Sequence, residues 1–367
     1  MSKLDEKFMR EVLRIAETMR GRTSPDPMVG AVVVKNGRVI SRGYHAEFTT
    51  PHAETFALHK AGQKAKGATL YVNLEPCCHW GDNPPCTTAI IRSGISRVVI
   101  GMKDPNPLVA GKGIAELRRA GITLRVGVLE ARSLKLNEAF IKYITKKVPF
   151  ITLKFAMSLD GKIATASGES RYITSKESLV RVHKIRHSAD AILVGVNTII
   201  KDDPSLTVRL PGKKVKAQPI RVVLDSMART PLASRILKNK HARTIIVVSP
   251  KAPPLCVHAL EKRGAQIIVG RNRQGKIDLK CLMAELGERQ IMNVLIEGGG
   301  ETNASAIAAG IVDRIYCFIA PKIIGGREAL TPVEGRGITR LREALNLYNI
   351  KVERIGHDIM IEGSLKQ

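Results

Sequence analysis

Along this chain, short apolar runs are set between stretches of helical period. VGAVVV (29–34) and RVISRG (38–43) flank Asn36-Gly37. Asn-Gly tolerates the positive φ angles of a type I′ turn, so the stretch predicts a β-hairpin. Before it, MSKLDEKFMREVLRIAETM sets Phe8, Val12, Ile15, Ala16 and Met19 on one face of an amphipathic helix. After it the pattern predicts a helix from about Ala53 to Ala61, a strand at 69–74 and a helix from about Pro84 to Ser93. A strand at 97–101, a helix around 112–120, a strand at 122–128 and a helical segment from Glu130 to Ile144 follow. The pattern restarts at VPFITLKFAMS (148–158), with strands near 191–195, 220–225, 244–249, 265–270, 293–299 and 314–320.

Strands alternate with helices in both halves, which is an α/β pattern. The break near Lys146–Pro149 ends a helical stretch and opens a strand with a proline. It divides the chain into expected domains at 1–147 and 148–367. A length of 367 residues agrees, because one hydrophobic core rarely grows that large.

Charge changes the picture less than its size suggests. The net charge is +26, but it is spread, with +11 up to Lys147 and +15 beyond. The densest basic patch, GKKVKAQP at 212–219, reads as a surface loop. A diffuse excess with 4% aromatic residues favours anionic small molecules over nucleic acid. No apolar run approaches the roughly 20 residues that span a bilayer, and the charged N-terminus lacks a signal-peptide core. No membrane partner is expected. Of the six cysteines, Cys77, Cys78 and Cys86 cluster while Cys256, Cys281 and Cys317 are scattered, which is not a disulfide framework. The expected location is the cytoplasm.

The cluster carries the chemistry. His52 follows a proline at a predicted helix start, and Glu54 lies two residues on. Cys77 comes directly after the strand at 69–74, and Cys86 opens the next helix. A catalytic zinc takes three such ligands and leaves its fourth place for water. Exposed N–H groups at helix starts favour thiolate over thiol. His-x-Glu followed by Pro-Cys and a further Cys is the pattern of zinc nucleobase deaminases, with Glu54 as the proton shuttle. The interval here is Cys-x8-Cys instead of Cys-x-x-Cys, so CHWGDNPP must loop back to the metal. Ordinary buried thiols with a capping histidine, or a structural zinc closed by Cys78, are the competing readings. A deaminase acting on another nucleotide or polynucleotide, with an accessory second domain, is another.

Several long stretches place the chain beside a known family. DPMVGA (26–31), GYH (43–45), HAE (52–54), LEPC (74–77), PPC (84–86) and DPNPLVAGKGI (104–114) resemble the deaminase half of the bifunctional RibD family of riboflavin biosynthesis. LKFAMSLDGKIAT (153–165), SGESRYITS (167–175), the run 182–209 and IEGGGET (296–302) resemble its reductase half. The resemblance implies a cytidine-deaminase-like α/β/α domain followed by a dihydrofolate-reductase-like α/β domain, commonly part of a homodimer or higher homo-oligomer. It implies one Zn2+ per chain and NADPH. The implied substrate is 2,5-diamino-6-ribosylamino-4(3H)-pyrimidinone 5′-phosphate, which is deaminated and then reduced to 5-amino-6-(5-phosphoribitylamino)uracil.

The resemblance also implies residues. Ala156, Tyr172, Thr198, Asp202, Ser226 and the run Gly299, Gly300, Glu301, Thr302, Asn303, Ala304, Ser305 would meet the cofactor. Ser170, Arg186, Leu206, Arg209 and Glu297 would meet the substrate. There is no GxGxxG; Gly298-Gly299-Gly300 before a helical run reads either as a plain strand-to-helix turn or as a place where backbone N–H groups meet phosphate, and the resemblance implies the second. Arg186 and Arg209 suit the substrate phosphate, because a guanidinium binds oxyanions through parallel hydrogen bonds, and each reads alternatively as a solvated helix or loop charge. Asp202-Asp203-Pro204 reads equally as a turn. Four positions depart from the family: Asp26 stands for a usual Asn, Asp82 for a basic residue, Cys78 for Ser and Tyr172 for Trp.

Overall fold

The computed structural model describes residues 3–81, 83–170, 172–212, 215, 217–273 and 275–365. Asp82 and part of the basic 212–219 patch therefore lie outside the described residues. Two compact units divide the chain, Met1–Lys147 and Val148–Gln367.

The first unit runs α1 (Lys3–Glu17), β1 (Gly30–Lys35), β2 (Arg38–Tyr44), α2 (Ala53–Ala61), β3 (Thr69–Leu74), α3 (Cys86–Arg92) and β4 (Arg97–Met102). It continues with α4 (Lys112–Arg119), β5 (Thr123–Val126), α5 (Glu130–Leu136) and α6 (Glu138–Lys146). One sheet in the order β2-β1-β3-β4-β5 is antiparallel around β1 and parallel from β3 to β5. Asn36 and Gly37 have φ of 51° and 72°, as the type I′ turn requires. Helix α1 buries Phe8, Met9, Val12, Leu13 and Ala16 against Val32, Val34, Tyr71 and Val99. The helical segment predicted over 130–144 is two helices. Asn137 breaks it and turns its amide on Met28, accepting the N–H at 2.8 Å and donating to the carbonyl at 3.1 Å. Asp5, an acid in the first turn of α1, is buried under Arg97, Arg125 and the Tyr71 hydroxyl at 2.8–3.0 Å.

The second unit begins with β6 (Phe150–Ser158), α7 (Lys176–His187), β7 (Ala191–Gly195), α8 (Val196–Asp202), β8 (Ile220–Leu224), α9 (Arg235–Lys238) and β9 (Thr244–Val248). There follow α10 (Pro254–Lys262), β10 (Gln266–Val269), the small pair β11 (Asn272–Arg273) and β12 (Lys276–Ile277), α11 (Leu279–Glu288), β13 (Asn293–Ile296) and α12 (Gly300–Ala308). The chain closes with β14 (Arg314–Ala320), β15 (Tyr348–Ile355) and β16 (Asp358–Ser364). The large sheet has the order β10-β9-β8-β7-β13-β6-β14-β16-β15, parallel up to β14 and antiparallel beyond it. Leu193, Val222, Val247 and Val294 pack on one face, and Ile192, Val194, Val223 and Ile246 on the other. Burial on both faces explains why these strands read as unbroken apolar runs. The predicted strand 293–299 stops at Ile296, because Glu297–Gly299 turn into α12. The sequence pattern did not show the β15–β16 hairpin. Most of β15 is exposed, so selection for apolar residues there is weak.

Candidate active sites

The first site gathers where β3 ends and two helices begin. His52 occupies the N-cap position of α2 in an extended conformation after Pro51, and Glu54 sits in the first turn. Gly43 lets β2 press on that start, since a Cβ there would lie 2.1 Å from the Ala53 carbonyl oxygen. Cys77 follows β3, and Cys86 is the first residue of α3. The ligand atoms of His52, Cys77 and Cys86 all lie within 4.8 Å of one another. His52 Nδ1 is 3.2 Å from the Cys86 sulfur and 3.5 Å from that of Cys77. The Cys86 N–H donates to the Cys77 sulfur at 3.4 Å. The long loop between the cysteines therefore does return the second thiol to the first. Cys78 is absent from the group found among the described residues, and burial raises its pKa.

The electrostatics suit a cation here. Hydrogen bonds from Cys86 and His52 pull the Cys77 thiol down to about 4 against the cost of burial. Cys86, bonded to that sulfur and buried, is pushed up. Glu54 is buried, with 4% of its surface exposed. Burial and the Cys77 charge raise its pKa, while His52 and His45 oppose them. A carboxyl held this way carries a proton near neutral pH more readily than an exposed one.

Surrounding residues fix the site. Asp26 is paired with buried His45, whose Nε2 lies 2.9 Å from Oδ2, and the His45 ring meets the His52 ring edge-on at 5.5 Å. The carboxylate standing for the family's Asn thus has a hydrogen-bond partner in His45. Glu75 is buried and accepts backbone N–H groups from Asp104, Gly111 and Ile114 at 3.0–3.2 Å. It pins the 104–114 loop beside Cys77.

The second site forms at the C-terminal ends of β6, β7, β8 and β13, where ligands bind in open parallel sheets. Glu297 directly follows β13 and takes a two-pronged ion pair from Arg186 on α7, at 2.6 and 2.9 Å. Arg186 Nη1 also donates to the Thr207 carbonyl at 3.2 Å. Burial would raise the Glu297 carboxyl, but Arg186, Lys154 and His183 outweigh it and hold it at about 2. Lys154, mid-strand in β6, is lowered by burial and by Arg186 against the pull of Glu297. Sequence reasoning missed Lys154. A lysine inside an otherwise apolar strand was the available signal.

Other expected residues gather more loosely. The Ser170 hydroxyl donates to Asp202 at 3.3 Å, joining an expected substrate contact to an expected cofactor contact. Asp202 ends α8 and Asp203 turns the chain with φ of 39°, so the turn reading applies one residue on. Thr198 lies in α8, Ser226 follows β8, and Ala156 is half-buried in β6. Tyr172 is exposed, and its carbonyl accepts from Lys322 at 2.9 Å. Leu206 is buried and Arg209 exposed.

The glycine turn divides its labour. A Cβ on Gly298 would strike Thr302 at 2.5 Å, and one on Gly300 the Thr331 carbonyl at 2.5 Å, whereas Gly299 faces open space. The backbone of Gly299 is thus open to a ligand at the start of α12. Along that helix Asn303 is buried and bonded to the Pro332 carbonyl, and Glu301 pairs with Lys276 at 3.5 Å. Thr302 packs under Gly195 and Gly298, and Ala304 lies against Gly335. Ser305 is half-buried.

Known proteins decide the family. The cytidine and deoxycytidylate deaminase zinc-binding region matches residues 2–102, and the RibD C-terminal domain matches 149–361. The riboflavin biosynthesis protein RibD of Aquifex aeolicus is 47% identical over 98% of both chains. The chain belongs to the RibD family. The RibD of Synechocystis is 43% identical over 98% of this chain and 96% of its own. The solved RibD of Acinetobacter baumannii, form 1, is 34% identical, covers 100% of this chain and 99% of its own, and superposes with a TM-score of 0.90. A Thermotoga maritima structure described as a diaminohydroxyphosphoribosylaminopyrimidine deaminase/5-amino-6-(5-phosphoribosylamino)uracil reductase is 37% identical, covers 98% of both chains and has a TM-score of 0.87. Both RibD halves are therefore present: a cytidine-deaminase-like zinc-binding unit and a dihydrofolate-reductase-like unit.

Proposed function

We propose that this chain performs two consecutive steps of riboflavin biosynthesis, deaminating 2,5-diamino-6-ribosylamino-4(3H)-pyrimidinone 5′-phosphate and then reducing its ribosyl chain with NADPH. The observation that carries the reading is the convergence of His52, Cys77 and Cys86 within 4.8 Å in a unit that also buries Glu54. These three residues would hold one zinc. Zinc held there would supply Lewis acidity, the chemistry that makes water a nucleophile near neutral pH. Glu54 takes the proton that water gives up and returns it to the departing 2-amino group, which leaves as ammonia. Asp26 is held by its hydrogen bond with His45, whose ring meets that of His52.

In the second unit NADPH, when bound, would supply the hydride for the reduction of ribosyl to ribityl. The open backbone at Gly299, with Gly300, Glu301, Thr302, Asn303, Ala304 and Ser305 behind it, takes cofactor phosphate. Ala156, Tyr172, Thr198, Asp202 and Ser226 complete the cofactor's surroundings. Ser170, Leu206 and Glu297 meet the substrate. Arg209, exposed at the rim, grips the substrate phosphate, while Arg186, committed to Glu297 and Thr207, orders the pocket around it.

The exposed edge strand β15 supports assembly as a homodimer or higher oligomer, with Tyr348, Ile350 and Val352 outward. Among the described residues no helix is long and apolar enough to cross a membrane, and all six cysteines are free thiols. Both facts support a cytoplasmic location. A coupled assay tests the activity: the diaminopyrimidinone phosphate should release ammonia without NADPH and be reduced when NADPH is added. Ammonia release from no pyrimidine, or from polynucleotide instead, would overturn the reading.

A further inference from the structure

Between α8 and β8, residues 203–209 form no strand, yet Leu206, Thr207 and Val208 are buried and Leu206 has a left-handed φ of 48°. Side chains from elsewhere hold the backbone of three successive residues. Arg186 donates to the Thr207 carbonyl at 3.2 Å. The Gln218 amide accepts the Val208 N–H at 2.7 Å and donates back to the Val208 carbonyl at 3.2 Å, as a neighbouring strand would. The Arg209 N–H donates to His183 Nδ1 at 3.2 Å. His183 and Arg186 stand one turn apart on α7, so one helix face serves two of these bonds.

We infer that His183 and Gln218 are positioning residues of the reductase site, latching 207–209 so that Arg209 is presented to the substrate phosphate. The inference rests on the reading of Arg209 given above. An exposed arginine on an irregular segment loses backbone and side-chain freedom when it grips a ligand, and a segment already fixed pays less of that cost. The bond from Arg209 requires a lone pair on Nδ1. Burial, Arg186 and Arg209 lower the His183 pKa to about 4 against the pull of Glu297, so the ring stays neutral at ordinary pH. No other residue carries the Val208 pair of bonds that Gln218 makes among the described residues.

The test compares NADPH oxidation by the full-length protein on the deaminated substrate with and without its 5′-phosphate. The readout is the ratio of the two kcat/KM values, which general damage to the fold leaves unmoved. Arg209→Ala should cut the ratio by about 10- to 200-fold. His183→Leu and Gln218→Ala should each cut it by about 2- to 10-fold, through KM for the phosphorylated substrate. His183→Asn, whose Oδ1 stands near the place of Nδ1, should restore it. If Arg209→Ala cuts the ratio while His183→Leu and Gln218→Ala leave it unchanged, the latch is refuted. If Arg209→Ala itself leaves the ratio unchanged, the phosphate reading of Arg209 falls and the latch with it. Should His183→Leu not fold, Gln218→Ala and His183→Asn still decide.

Discussion

The two sites differ in how far apart their parts lie along the chain. His52 and Cys86 are separated by 34 residues and share one sulfur-rich contact. Arg186 and Glu297 are separated by 111 and meet as an ordinary ion pair. The first site uses residue types that rarely cluster without a chemical reason, and two helix starts bring them together. The second uses arginine, glutamate and lysine, which are common on any surface and gain meaning only from what they touch. A metal centre declares itself by composition, whereas a cofactor pocket at strand ends is declared by topology.

Breaking the first site should have the largest effect and should leave the second site working. Glu54→Gln keeps the shape of the side chain but removes the proton carrier. Deamination should fall by about a hundred- to ten-thousand-fold, with about one zinc per chain retained. NADPH-dependent reduction of substrate already deaminated should persist. Zinc content by elemental analysis and the two rates, measured on the same preparation, check this. Normal deamination by the variant would remove Glu54 from the mechanism. A parallel loss of reduction would mean that the two sites are not independent.

The second site should break differently, through buried charge instead of a lost proton carrier. Arg186 and Glu297 keep only 14% and 8% of their side-chain surface exposed. Arg186→Leu strands the carboxylate, and breaking such a pair costs about 3–5 kcal/mol. Arg186→Leu with Glu297→Leu should recover much of that stability, since apolar replacement of a buried pair is often neutral, yet should not recover reduction. Urea unfolding and NADPH oxidation of both variants separate the two effects. Reduction by the double variant at the parent rate would show that the pair serves the scaffold alone.

The same contrast explains what was legible beforehand. Strand positions in both units followed from apolar runs, because their side chains are buried, and the Asn36-Gly37 turn followed from the φ angles those residues tolerate. That His52, Cys77 and Cys86 come together was legible from their places at element ends. The break at Asn137 was not, because it depends on the Met28 backbone more than a hundred residues earlier. Lys154, His183 and Gln218 were hidden for a related reason. His183 and Gln218 meet the backbone of a segment without regular structure, which neither composition nor periodicity reports, whereas Lys154 left a signal only as a charge inside an apolar strand. Hairpin β15–β16 escaped because an exposed edge strand carries little of the pattern that burial imposes.

A scaffold charge in the first unit supplies the smallest test, and it asks whether that unit's buried ions all serve chemistry. Asp5 is held by Arg97, Arg125 and Tyr71, among residues with no place in the zinc site. Hydrogen bonding from Arg97 leads the causes that lower its pKa below the ordinary 3.8, with burial opposing and Tyr71 and Arg125 assisting. A folded-state pKa below the unfolded one means that folding favours the charged form. The stabilisation is therefore complete above pH 3.8 and fades as pH falls through the lower folded value. Arg97 and Arg125 are each about one-third exposed, so solvent screens part of the attraction. Asp5→Asn should then cost about 1–2 kcal/mol at neutral pH, and the gap to the parent should close below about pH 4. Urea unfolding at stepped pH, followed through backbone hydrogen exchange in residues 3–147, measures the gap. Exchange in 148–365, deamination and reduction should all stay at parental values. A gap of the same size in acid would show that the loss comes from packing and not from the Asp5 charge.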